Sequence, residues 1–179
     1  MFFVGAPFQA RQGATRRDNM SDGFPTKGFH RLRKGRWSYP GNSYFITTSA
    51  IDKETIFTNE DIVRILFDCL QWLEADARLE VLCCVVMPNH LHMVVQLGEK
   101  QTLSRVMNSF KGFTGRRINE MRKRSGPVWQ KQYYEHCIRR EEDLSQIILY
   151  CYENPLRAGL VSQASEYPFW RCKFEIEPG

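Results

Sequence analysis

The chain switches between two hydrophobic periods, and each switch marks an element. Ser43–Ala50 is rich in β-branched and aromatic residues and predicts a strand. Ile62, Leu66, Cys69, Leu70 and Leu73 then recur at helical spacing, the apolar stripe of an amphipathic helix. Thr58 with Asp61 has the form of a capping box and predicts where that helix opens. Leu79–Met87 predicts a second strand, Pro88-Asn89 a turn, and His90–Leu97 a third strand. Inside the second strand, Val81-Leu82-Cys83-Cys84-Val85-Val86 has no polar alternation, as expected of a central strand buried on both faces. Thr102 caps a long helix through Leu103, Val106, Met107 and Phe110 that stops before Ser125-Gly126-Pro127. Trp129–Ile138 predicts a fourth strand. Glu141, Glu142 and Asp143 suit the first turn of a last helix, where acids favour the dipole. That helix is expected to end near Asn154, because a residue before proline avoids the α region.

The order is β-α-β-β-α-β followed by an added C-terminal helix. It predicts an α+β domain of the ferredoxin-like, split βαβ kind with an antiparallel sheet. Residues 1–28 lack sustained periodicity and are expected to be a flexible basic leader, with Met20 as an alternative start. Residues 29–179 are expected to form one domain, long enough to bury a proper core. A hydrophobic content of 42% and a charged content of 25% are those of an ordinary soluble globular chain. No apolar stretch approaches the roughly 20 residues of a membrane span, and Met1-Phe2-Phe3-Val4 lacks the basic region of an export signal. The cysteines Cys69, Cys83, Cys84, Cys137, Cys151 and Cys172 form no CxxC pair or zinc spacing, and most sit in apolar runs. A reducing, cytoplasmic location is therefore expected.

Charge is uneven. The net charge of +5 favours a polyanionic partner only weakly. Residues 1–41, however, hold eight Lys or Arg against two Asp, with Lys27, Arg31, Arg33, Lys34 and Arg36 bunched together. A second run, Lys111 to Arg124, holds Lys111, Arg116, Arg117, Arg122, Lys123 and Arg124 against Glu120 alone. Two basic islands on a balanced chain point to phosphate contacts. The competing reading is a solvated tail and a solvated helix face.

Three sets of residues bear chemistry. His90 and His92 are two apart on a strand, so both imidazoles project from one face, about 6.6 Å apart along the chain. That is a two-nitrogen chelate for a divalent cation, and equally the polar face of a half-exposed strand. On the last helix, Leu144, Ile147, Ile148 and Cys151 form one narrow stripe, with Tyr150 and Asn154 together on its flank, about 40° apart. A phenol and an amide one turn apart border the core there. Glu135 and His136, on opposite faces of the fourth strand, are candidates for outer support of a metal site or ordinary edge-strand residues.

These residues carry a resemblance. Val85-Val-Met-Pro-Asn-His-Leu-His-Met-Val-Val95 resembles the HUH motif of the single-strand DNA transposases with one catalytic tyrosine. Trp129–Arg139 and Tyr150-Cys-Tyr-Glu-Asn-Pro-Leu-Arg-Ala-Gly-Leu-Val161 are similar to the REP-associated tyrosine transposase branch. The likeness covers most of residues 30 to 170. It implies that His90 and His92 bind the metal, Asn154 is the third ligand, and Tyr150 is the nucleophile. Insertion-sequence relatives usually carry glutamine where this chain has Asn154; the asparagine matches the REP-associated branch. Tyr152, the rival nucleophile, lies about 160° around the helix from Asn154 and is rejected.

The resemblance further implies a cofactor of Mg²⁺ or Mn²⁺, with the two imidazoles suiting manganese or zinc better than magnesium. It implies single-stranded DNA beside a palindromic hairpin as substrate, cut through a 5′-phosphotyrosine link that retains the energy for rejoining. Arg31, Arg33, Lys34, Arg36, Lys111, Arg116 and Arg117 are the expected backbone contacts, and Trp37 or Tyr39 the stacking platforms. A monomer is favoured over a dimer. The alternatives are a metal-dependent nuclease whose nucleophile is water, and a domesticated relative that binds nucleic acid without cutting it.

Overall fold

Residues 38–139 and 144–176 are described by a computed structural model. The expected leader, Arg31, Arg33, Lys34, Arg36, Trp37 and the acids at 141–143 lie outside them. The core of the sheet is a long hairpin, β2 (Leu79–Met87) and β3 (His90–Leu97). Apart from Glu80, every residue of β2 is buried, as its unbroken apolar run requires. β1 (Ser43–Ser49) pairs antiparallel with β3 on the other side. A fourth strand, β4 (Tyr134–Cys137), adds to β1, and a fifth, β5 (Trp170–Cys172), adds to β2. The antiparallel order is therefore β4-β1-β3-β2-β5, the ferredoxin-like arrangement with one strand added at the β2 edge.

Two helices cover one face. α1 (Glu60–Ala75) and α2 (Leu103–Arg122) bury Leu66, Leu70, Leu73, Val106, Met107 and Phe110 against Ile46, Val86, Leu91 and Met93. The third helix, α3 (Leu144–Arg157), covers the opposite face, where Ile147, Ile148 and Cys151 meet Phe45, Cys83, Val85 and Val94. Burying each isoleucine contributes about 1.5–3 kcal/mol. This stripe sets the rotation of α3 and hence the direction in which its flanking residues face.

Four local expectations need correction. The cap of α1 is Asn59, one residue beyond Thr58: its Oδ1 accepts from the amides of Asp61 (2.9 Å) and Ile62 (3.2 Å), while the Thr58 hydroxyl turns back to the Thr55 carbonyl. β4 is also much shorter than Trp129–Ile138. Trp129 makes a lone bridge with Ala50, and its indole N–H donates to Thr114 Oγ1 at 2.9 Å. The next carbonyls turn out of the ladder, those of Gln130 (2.7 Å) and Gln132 (3.2 Å) accepting from Lys111 Nζ.

α3 does not end at Asn154. Proline removes only its own N–H, and the helix continues to Arg157. Gly159, at φ +68°, then closes it: its amide donates to Leu156 O (3.0 Å) and the Leu160 amide to Pro155 O (2.9 Å), a Schellman cap. Pro155 thus sits in the last turn, and Tyr150 and Asn154 share continuous helix. β5, finally, was not expected from the sequence pattern. Its three residues are too short for a periodicity, and it exists through pairing with β2, Cys83 against Cys172 and Val85 against Trp170.

The ammonium of Lys111 is held by these carbonyls and stands 5.4 Å from the Tyr133 ring centre, so it locks a bend. Lys111→Ala is expected to lower stability by on the order of 1–3 kcal/mol, because carbonyls lose a charged donor. Denaturant titration measures this. An unchanged midpoint contradicts it.

Candidate active site

The register builds the site. In an antiparallel sheet, directly paired residues share a face. The row Tyr134, Thr47, His92, Val85, Trp170 therefore lies on the α3 side, and His90 follows on the same face beside Ser49. His92 is buried, stacked on the Phe45 ring at 5.5 Å between centres. The two imidazoles converge with their Nε2 atoms 3.1 Å apart.

Each histidine is oriented through its other nitrogen. His90 Nδ1 lies 2.7 Å from Asn89 Oδ1, and His92 Nδ1 lies 2.7 Å from Thr47 Oγ1. The amide carbonyl of Asn89 accepts only, so His90 carries its proton on Nδ1 and presents a bare Nε2. The Thr47 hydroxyl both donates and accepts. It holds His92 with its proton on Nε2, donating to His90, or on Nδ1, leaving both Nε2 lone pairs free for a cation. Burial, then the charge of Lys53, pulls His90 down to about 4; burial, then His90 and Lys53, pulls His92 down to about 3. Both are neutral at physiological pH, the state a metal ligand needs.

The pair fits a divalent cation. Metal–nitrogen bonds of about 2.1 Å spanning the observed separation give an N–metal–N angle of about 95°, nearer octahedral than tetrahedral geometry. Among the described residues, no group of three or more His, Cys, Asp or Glu side chains is placed to hold a metal. Further ligands must come from an amide, water or substrate.

Tyr150 is brought to this pair. Its ring stands edge-on to His92 at 5.9 Å between centres and edge-on to Phe45 at 6.1 Å. The Arg157 guanidinium lies 5.7 Å from the phenol ring centre and pairs with Glu153 at 3.4 Å. Asn154 is half-buried one turn further along α3. Tyr152 points elsewhere and packs on Trp170, on the edge strand across the sheet, at 5.4 Å.

The remaining expected residues are scattered. His136 shares the histidine face, paired with Phe45, whereas Glu135 is paired with Ile46 and shares the face of α1 and α2. Glu135 is therefore on the wrong side to support the pair. In the second basic island Arg117 pairs with Glu120 (2.8 Å), and Arg122 and Arg124 grip Glu54 (2.7 and 2.8 Å). Arg116 is exposed. Tyr39 is 57% exposed at the start of the described chain, free to offer a ring face. Thr47, Phe45, Asn89 and Lys53 also surround the pair, and no motif in the sequence marks them. Asn89 adjoins the motif in sequence, whereas the β1–β3 register places Thr47 and Phe45, and the turn at Ile51–Lys53 places Lys53.

The depressed histidines set a pH dependence. Below the ordinary value of about 6.5, an unfolded chain takes up protons that the folded pair refuses, so the metal-free fold loses stability as pH falls from about 7 towards 4. The slope is up to about 1.4 kcal/mol per pH unit for each histidine. Denaturation in chelator at pH 7 and pH 5 should show this loss shrinking in the His90→Gln/His92→Gln double variant. Equal losses in the two proteins refute it.

Known proteins share the sequence and the fold. Residues 39–153 match the family described as Transposase IS200 like. A putative REP-associated tyrosine transposase of Haemophilus influenzae is 28% identical over 100 residues, covering 50% of this chain and 57% of that protein. The REP-associated tyrosine transposase of Escherichia coli is 27% identical over 137 residues, covering 75% of this chain and 78% of the relative. A solved REP-associated tyrosine transposase bound to a REP hairpin superposes with a TM-score of 0.63 at 25% identity, covering 75% of this chain and 79% of that one. Among the described residues no helix is long and apolar enough to cross a membrane. With the matched segment running from β1 through β4 and including the histidine pair and Tyr150, this chain belongs to the IS200-like transposase family.

Proposed function

We propose that the protein is a metal-dependent endonuclease and strand transferase for single-stranded DNA, acting at hairpins of the REP type through a 5′-phosphotyrosine on Tyr150. One observation carries this reading: a tyrosine ring 5.9 Å from an imidazole whose Nε2 lies 3.1 Å from that of a second histidine. The relative solved with a REP hairpin supports the substrate. His90, His92 and the Asn154 amide would hold Mn²⁺ or Mg²⁺, the nitrogens favouring Mn²⁺. Such a cation supplies Lewis acidity to the scissile phosphate and lowers the cost of an ionised phenol nearby.

The chain's own residues do the rest. Phe45 and His92 wall the phenol and restrict its ring, so the oxygen is held for in-line attack. The guanidinium of Arg157 adds positive charge beside the forming phosphodiester. Attack forms a tyrosyl O–P bond and frees a 3′-hydroxyl; a second 3′-hydroxyl reverses the exchange and joins strands. Because histidines and tyrosine come from one chain, the reading favours a monomer.

The test is a labelled single-stranded oligonucleotide drawn from hairpins flanking the gene, incubated with Mn²⁺ or Mg²⁺ and denatured. Wild type should leave a covalent adduct that Tyr150→Phe abolishes. His90→Ala should cut the rate at least about a hundredfold, and Asn154→Ala should raise the metal concentration needed about 10–100-fold. Cleavage without an adduct identifies water as the nucleophile. Hairpin binding without cleavage under either ion identifies a binding protein.

A further inference from the structure

Between β1 and α1 the chain makes a short helical turn, Ile51–Lys53, in which two successive residues are left-handed: Asp52 at φ 50° and Lys53 at φ 58°. Each such non-glycine residue costs on the order of 1–2 kcal/mol, so surrounding contacts must hold the turn in place. They do so on both sides. The Ala50 amide donates to Asn89 O (2.9 Å) and the Ile51 amide to Val128 O (2.8 Å). Beyond the turn, the Phe57 amide donates to Pro88 O (2.9 Å). The Glu54 carboxylate is gripped by Arg122 (2.7 Å) and Arg124 (2.8 and 3.0 Å), whose hydrogen bonds lower its pKa. Pro88 and Asn89 form the turn that leads into His90, so the strained segment is fastened to the histidine strand itself.

This fastening aims one side chain. Lys53 folds back and donates from Nζ to Ser49 Oγ at 3.0 Å. Ser49 is the register partner of His90, so the ammonium stands beside the cation-binding pair, and its charge disfavours protonation of both imidazoles. Among the described residues no carboxylate lies within ion-pair distance of Lys53. An ammonium beside two metal ligands repels the cation they bind, unless an anion comes between. Two N–H groups of Lys53 remain for such an anion.

We propose that Lys53 is a phosphate-contacting residue of the cleavage centre, its ammonium holding a non-bridging oxygen of the scissile phosphate against the histidine pair. This rests on the reading of Tyr150 as nucleophile. In the step, the Tyr150 O–P bond forms and the P–O3′ bond breaks. The phenol proton passes to water and the departing 3′-oxygen takes one from water. Lys53 exchanges no proton; it supplies charge where the phosphate oxygens gain it.

The experiment compares wild type, Lys53→Gln and Lys53→Arg as full-length proteins at saturating Mn²⁺, under single turnover, with the flanking-hairpin oligonucleotides. Adduct formation should slow about a hundredfold in Lys53→Gln and recover in large part in Lys53→Arg. With a neutral methylphosphonate at the cleaved linkage, the gap between wild type and Lys53→Gln should close. Equal rates at saturating Mn²⁺ overturn the role of Lys53 and leave Tyr150 chemistry standing. A gap that persists on the methylphosphonate shows that Lys53 only braces the fold, and also overturns it. No adduct from wild type with either Mn²⁺ or Mg²⁺ sinks the Tyr150 reading and this one together.

Discussion

The pairing of β1 with β3, Thr47 against His92 and Ser49 against His90, organises every other feature of the site. Side chains alternate across a sheet, so a slip of one residue would send both histidines into the apolar layer under α1 and α2 and bring Leu91 and Met93 to the α3 face. Two large cores forbid that slip, one on each side of β3. Register thus places Thr47 where it orients His92, and Ser49 where it receives Lys53. A hydrophobic constraint, not a polar one, holds the two imidazoles on one face.

Electrostatics then give the pocket its character. The imidazoles stay neutral because burial disfavours their charged form, and Lys53 adds a like charge against protonation. The Arg157 guanidinium lies 5.7 Å from the centre of the phenol ring. Around the neutral imidazoles stand an ammonium, that of Lys53, and the Arg157 guanidinium, the latter paired with the Glu153 carboxylate.

Much of the second basic island serves structure. Lys111 is spent on backbone carbonyls, Arg117 on Glu120, and Arg122 with Arg124 on Glu54. A run of cations in sequence says nothing about where acceptors will fold to meet them. Glu54 lies some seventy residues upstream of its partners, and the carbonyls that hold Lys111 come from a bend that looks like plain strand in the sequence.

Periodicity and spacing in the chain determined most of the elements. The bounds of β2 and β3, the Thr102 cap, and the helical spacing of Tyr150 and Asn154 all follow from local sterics and hydrogen bonding, which read only a few neighbours at a time. Where local rules misled, a nearby competitor had acted: Asn59 displaced Thr58 as a cap, and the Gly159 cap carried α3 past Pro155. What only the tertiary structure decided is nonlocal. The β5 pairing, the side of the sheet that excludes Glu135, the Thr47–His92 bond and the strained turn that swings Lys53 towards His90 each join residues far apart in the chain. Their energies arise from burial and register, which exist once the sheet has closed.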